Sequence, residues 1–285
     1  MKLATFAYGG GPELGIVAGG RIIPISRTVP HFEIDMIDLI ARWPDLESEL
    51  HRLEAEGRHA IALDAVTLLA PVLRPGKIMA IGLNYADHIA ESGLAAPPHQ
   101  VWFSKAVTAV NEPFGRILLP PGTPYVDYEA EMVAVIGAGG RRIARGAAPG
   151  AVFGWCVGND VTERAWQHRT PQWILGKSFD SHAPFGPWIT TADEIADVHA
   201  LGIRCTVNGE VRQSSSTSNL VFDVWSQVEH LSQAMTLEPG DLLFTGTPGG
   251  VGAAMDPRRF LAHGDRVRVE IDGLGAIENS CKAEL

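Results

Sequence analysis

The chain has 285 residues, 46% of them hydrophobic and 20% charged, which is ample for a sizeable core and excludes a disordered chain. A net charge of −10 argues against nucleic acid or an anionic membrane surface as partner, because such binders display a basic face. Cys156, Cys205 and Cys281 are scattered and form no CxxC pair, which fits a reducing cytoplasm better than a disulfide scaffold.

In chain order, "MKLATFAYGGGPELG" reaches Gly9, Gly10 and Gly11 before a secretory signal core could form, and no apolar run approaches membrane-spanning length. The expectation is therefore a cytoplasmic protein. Residues 1–70 read as a small accessory unit. Leu3–Tyr8 and Gly15–Ala18 are candidate strands around the glycine turn, and Gly19-Gly20 turns into "RIIPIS". Residues 34–57 then read as helix, broken near Pro44 and stopped by Gly57. Pro71, Pro75 and Gly76 mark a boundary, and 71–285 forms the second, larger unit.

There Lys77–Gly82 has the pattern of a buried strand, and Tyr85–Glu91 that of a helix with His88 and Glu91 on one face. A histidine beside a carboxylate is a candidate general base, since the carboxylate fixes the tautomer; an ordinary surface pair is the alternative. Gly93 and the prolines up to Gln100 suggest a segment able to close over a site.

The central stretch is "YVDYEAEMVAVI", residues 125–136. In a strand, Asp127, Glu129 and Glu131 share one face, and the run after Glu131 is continuously apolar. Carboxylates at the edge of a core need a proton, a cation or a metal. The all-oxygen Glu129/Glu131 pair suits a hard divalent ion such as Mg²⁺ or Mn²⁺; the alternative is the acidic outer face of an edge strand. Asp160, just past the apolar strand "AVFGWCVGN", is placed equally well as a helix N-cap or as a third carboxylate ligand. Arg164 and Gln167 lie one helical turn apart, and Lys177 sits between Leu175 and Phe179, where a lysine generally has a charged partner. "GKS" is no phosphate loop, because Pro171 stands where that motif needs glycine.

"VNGEVRQ" predicts a hairpin turning at Asn208-Gly209, and 223–240 an amphipathic helix ended by Pro239-Gly240, with Val224, Val228 and Leu231 inward. "DLLFTGTPGGVG" runs a buried strand into a glycine loop. Its amides at Gly246 and hydroxyls at Thr245 and Thr247 can hold an anion, or the glycines merely need positive φ.

The ordered set "RPGKIMAIGLNYADHIAE", "VDYEAEMVAVIG", "GNDVTERAWQ", "LGKSFDSHAPFGPWI", "VNGEVRQ" and "LEPGDLLFTGTPGGVG" resembles the fumarylacetoacetate hydrolase family in its shorter bacterial form, over roughly residues 71–285. The resemblance implies a β-rich α+β fold: a mixed β-roll or barrel-like catalytic domain with a small N-terminal α/β accessory domain. It also implies a homodimer acting on a 2-oxo acid with Mg²⁺ or Mn²⁺. By position, Glu129, Glu131 and Asp160 match the family's metal ligands, and His88 and Glu91 its water-activating dyad. Lys177, Arg164 and Gln167 match the oxyanion-stabilising groups, and Thr247 with Gly246 the loop that holds a substrate carboxylate. The leading expectation is hydrolysis of an acylpyruvate or related diketo acid. An oxaloacetate-type decarboxylase or enol–keto isomerase in the same site comes next, and a non-catalytic binding member last.

Overall fold

The computed structural model describes residues 1–26, 35–93 and 95–284. Ile34, at the start of the predicted helix, and Leu94, in the predicted closing segment, lie outside the described residues. The fold is mixed and β-rich, built on a twelve-stranded sheet and a five-stranded one.

Ten strands of the large sheet run in the order Ile61–Ala62, Arg21–Pro24, Pro12–Ala18, Lys2–Ala7, Ala183–Thr191, Val152–Asn159, Ala130–Ile136, Leu242–Phe244, Ile78–Gly82 and Val101–Lys105, while Thr67–Leu68 pairs with Lys2–Ala7 and Val110–Asn111 with Ala183–Thr191 off that path. This path is open-ended. The three N-terminal strands join the same sheet as the rest, through Leu3 paired with Ile189. The smaller sheet runs Glu210–Ser216, Gly202–Val207, Arg266–Ile271, Gly275–Ala283 and Arg116–Leu119.

The central strand Ala130–Ile136 is buried throughout because each face meets its own core. Ala130, Met132, Ala134 and Ile136 pack toward the smaller sheet with Cys205, Val267 and Ile277. Val133 and Val135 face the other way, in a core that includes Met36, Leu39, Leu50 and Leu53. Those four come from the helices Met36–Ala41 and Trp43–Glu56. The predicted helix is indeed interrupted: Pro44 falls in the first turn of the second piece, where its missing N–H has no partner to lose, and Gly57 ends it at φ +58°.

Two predicted boundaries move. The helix expected to reach Pro239-Gly240 is Val224–Ala234, because Leu237 leaves it to bridge with Gly140. The helix after Asp160 is only Arg164–Gln167, since Thr162–Glu163 first pairs as a short strand with Val126–Asp127. Glu163, not Asp160, is its N-cap, accepting from Trp166 N–H at 2.7 Å. Asp160 is thereby left for the site. Cys156, Cys205 and Cys281 are free and buried, and burial pushes all three thiols up.

Candidate metal centre and catalytic cavity

Antiparallel register assembles the acidic cluster. Ala130 pairs with Asn159, so Glu129 lies across from Asp160, and the Asp160 N–H donates to the Glu129 carbonyl at 2.9 Å. Glu131, two residues on, shares the face of Glu129. Glu129, Glu131 and Asp160 are buried, and each offers an oxygen within 4.8 Å of the others'.

Cations already surround two of the three. Lys177 Nζ bridges Glu129 Oε2 at 2.8 Å and Asp160 Oδ2 at 2.6 Å. Lys105 Nζ holds Asp160 Oδ1 at 2.6 Å, and Arg164 reaches Glu129 Oε1 at 2.6 Å. Burial works to raise the Glu129 pKa, but Lys177 and Arg164 outweigh it and hold the carboxyl well below the usual range. Glu131 differs: among the described residues no cation stands at ion-pair distance from it, and one oxygen accepts from Gly246 N–H at 2.7 Å. Burial, then the charges of Asp160 and Glu129, push its carboxyl well above the ordinary value. With every group ionised, as ligation of a metal by Glu131 requires, Asp127, Glu129, Glu131 and Asp160 outnumber Lys105, Lys177 and Arg164 by one charge. Three hard oxygen donors with a cation deficit fit Mg²⁺ or Mn²⁺, and each carboxylate oxygen has a second lone pair to offer.

A cavity of about 420 Å³ opens over Glu129 and Lys177. His88, Glu91, Arg164, Gln167 and Thr247 line it as well. His88 Nδ1 lies 2.8 Å from Glu91 Oε1 across one turn of the helix Ala86–Ser92. Glu91 Oε2 accepts from Gly250 N–H at 2.7 Å, so the dyad is anchored to the glycine loop. Arg164 donates to Gln167 Oε1 at 3.1 Å. Phe103 and Trp173 form an aromatic wall with ring centres 5.5 Å apart, and the Lys177 ammonium lies 4.7 Å from the Phe103 ring centre. Gly82 is required beside that wall, because a Cβ there would come within 2.5 Å of Trp173.

The glycine loop differs from expectation in detail. Gly246 and Gly250 have positive φ, whereas Gly249 does not and packs against Asp87. The Gly246 amide is spent on Glu131, so its observed contact is with the acidic cluster rather than with an anion in the cavity. Thr245 Oγ1 is committed to the Met132 carbonyl at 2.8 Å. Thr247 keeps its hydroxyl proton available, since its oxygen accepts from Gln213 Nε2 at 2.9 Å.

Two contributors escaped the sequence, Lys105 and Gln213, and a third, Asp127, was placed on the face of Glu129 and Glu131 without a role. Lys105 ends the strand Val101–Lys105, and only its position at the buried end of an apolar run hinted at a partner. Asp127 is an anchor: Arg164 Nε donates to Oδ2 at 2.9 Å, and the Gly252 and Ala253 amides donate at 2.8 and 3.0 Å. Gln213, inside a recognised motif, has no local signal at all.

The sequence profile described as fumarylacetoacetate (FAA) hydrolase C-terminal matches residues 77–282. The chain belongs to the fumarylacetoacetate hydrolase family. It is 41% identical over 285 residues to the Bos taurus protein named oxaloacetate tautomerase FAHD2A, mitochondrial, covering 98% of this chain and 91% of that protein. Maleylpyruvate hydrolase from Sphingobium sp. SYK-6, solved in complex with manganese (II) ion and pyruvate, is 33% identical with a TM-score of 0.85 over 100% of both chains. The 2-hydroxyhepta-2,4-diene-1,7-dioate isomerase of Mycobacterium marinum is 30% identical with a TM-score of 0.78, over 100% of this chain and 99% of that one. These family members are enzymes, and no helix among the described residues is long and apolar enough to cross a membrane.

Proposed function

We propose that this family member is a divalent-metal-dependent enzyme that forms and protonates the enolate of a 2-oxo acid. The observation that carries the reading is the buried Glu129/Glu131/Asp160 cluster, whose Glu129 lines one cavity together with the His88–Glu91 pair. Mg²⁺ or Mn²⁺ held by the three carboxylates would supply the Lewis acidity that makes such an enolate accessible at neutral pH.

The chain's own groups do the rest. With Nδ1 on Glu91, the His88 Nδ1 carries the proton and Nε2 is left as the base. Glu91 stabilises the imidazolium formed when Nε2 takes a proton. Arg164, fixed by Asp127 and Glu129, and Lys177 oppose negative charge developing on the substrate, and Gln167 orients the Arg164 fork. The Thr247 hydroxyl donates to the substrate carboxylate. A +2 ion turns the excess of one negative charge in the cluster into an excess of one positive charge, which favours a carboxylate ligand.

Enol–keto tautomerisation of an oxaloacetate-like acid is the reaction most favoured, because the 41%-identical Bos taurus protein that aligns with nearly the whole chain carries that name. Carbon–carbon bond hydrolysis of an acylpyruvate or related diketo acid is the second reading. The dyad favours it: His88 Nε2 is a base able to deprotonate water for attack on a distal carbonyl. A homodimer and a cytoplasmic location remain part of the proposal; the Bos taurus relative is named as mitochondrial. Purified protein with Mn²⁺ is tested against the oxaloacetate enol and an acylpyruvate. Metal-dependent loss of enol absorbance supports the first reading, and release of two acids the second. Neither reaction, with Mn²⁺ bound, contradicts both.

A further inference from the structure

We propose that Gln213 and Ser215 are positioning residues that set the spacing of the carboxylate loop and the dyad helix, an inference that rests on the 2-oxo acid reading above. Both belong to the strand Glu210–Ser216 of the smaller sheet. In that hairpin Thr206 pairs with Val211 and Cys205 with Gln213, so Arg212 is an extra, bulged residue. In a regular strand Val211 and Gln213 would share a face. The bulge separates them: Val211 is 53% exposed and Gln213 only 1%. Alternation then resumes, with Ser214 exposed and Ser215 turned inward.

Each inward side chain ties different parts together. Gln213 Oε1 accepts from the Ala130 N–H at 2.9 Å, between Glu129 and Glu131. Its Nε2 donates to Thr247 Oγ1 at 2.9 Å and to the Pro248 carbonyl at 2.8 Å. One buried amide thus spans the acidic strand and the carboxylate loop. Ser215 Oγ donates to Asp87 Oδ2 at 2.6 Å and accepts from Asn219 at 3.0 Å, while Asp87 Oδ1 accepts from the His88 N–H at 2.8 Å. The bulge itself seats the loop: a Cβ on Gly250 would come within 2.0 Å of the Arg212 carbonyl, so only glycine brings its amide to Glu91 there. Neither Gln213 nor Ser215 lines the cavity, so both act through Thr247 and His88.

The two roles are separable in the Mn²⁺-loaded full chain. Gln213→Met keeps size and loses all three bonds; Gln213→Glu keeps the acceptor for Ala130 and loses both donors. In both variants bound Mn²⁺ persists by elemental analysis, while pyruvate affinity by calorimetry falls about 10- to 100-fold as Thr247 shifts. Ser215→Ala leaves pyruvate affinity unchanged and lowers kcat about tenfold, on whichever of the two substrates the wild type turns over, without a matching rise in KM. Should Gln213→Met fold poorly, Gln213→Glu and Ser215→Ala carry the comparison. Wild-type values in all variants, or equal losses of pyruvate affinity and kcat in each, overturn the inference. A wild type that binds Mn²⁺ but neither pyruvate nor either substrate sinks the functional reading first and the inference with it.

Discussion

At the floor of the cavity, Glu129 and Asp160 are buried and matched by Lys105, Lys177 and Arg164. At its rim, His88 and Glu91 keep side-chain exposures of 15% and 24%, held by one another and by the Gly250 amide. Buried charges are tolerated only in matched sets, so the floor is rigid and intolerant of losing a member. The rim is partly exposed and held by a few hydrogen bonds, so it tolerates the loss of a side chain better. Metal affinity should therefore live in the floor and proton transfer at the rim.

The largest separation is expected from His88→Gln. Turnover should fall about 100- to 10,000-fold while bound Mn²⁺ is unchanged. Loss of metal together with activity would merge the two regions. Lys177→Met attacks the floor and should lower kcat about 100- to 1,000-fold. It also leaves Glu129 and Asp160 without their shared cation, so urea unfolding of the metal-free protein should show a loss of about 3–5 kcal/mol. Unchanged metal-free stability would mean that the ammonium is not structural.

His182 sharpens the contrast from behind the floor. Its Nε2 donates to the Leu118 carbonyl at 2.8 Å. Burial, with help from the Lys105 charge and against that hydrogen bond, pushes its pKa from 6.5 down to about 3. The fold thus prefers the neutral ring, and His182 contributes fully above the unfolded value of 6.5, then progressively less as pH falls from there toward 3. Between pH 6.5 and about pH 5 the loss is on the order of 2 kcal/mol. His182→Leu should flatten that part of the stability profile, and an equally steep profile in the variant would place the acid sensitivity elsewhere. The smallest effect belongs to Tyr85→Phe. Its hydroxyl is buried with no partner among the described residues, so removal should change the unfolding free energy from urea titration by less than about 1 kcal/mol. A larger loss would mean that the hydroxyl holds a bound water.

How much of this was legible depends on the range of each contact. Glu129 and Glu131 follow from a two-residue period, and His88 with Glu91 from one helical turn. Both signals are local. Asp160 needed strand pairing, and its competing reading as a helix cap ended only when Thr162–Glu163 proved to be strand. Lys105 and Asp127 make their contacts 55 and 37 residues away, with Asp160 and Arg164 respectively, and periodicity carries no information at that distance. Gln213 was hidden for another reason: a one-residue bulge reverses the face on which a strand displays its side chains, and nothing in "GEVRQSSS" marks it. The length of the helix ending at Ala234 was likewise decided by a distant bridge, Leu237 to Gly140, rather than by the Pro239-Gly240 stop signal.

The direct test is metal stoichiometry in a floor variant that keeps every cationic partner. After Mn²⁺ loading and desalting, the wild type should retain about one equivalent and gain thermal stability, while Glu131→Gln should retain little and gain none. A Glu131→Gln protein that keeps a full equivalent and the same thermal shift would contradict the assignment of this cluster as the metal centre.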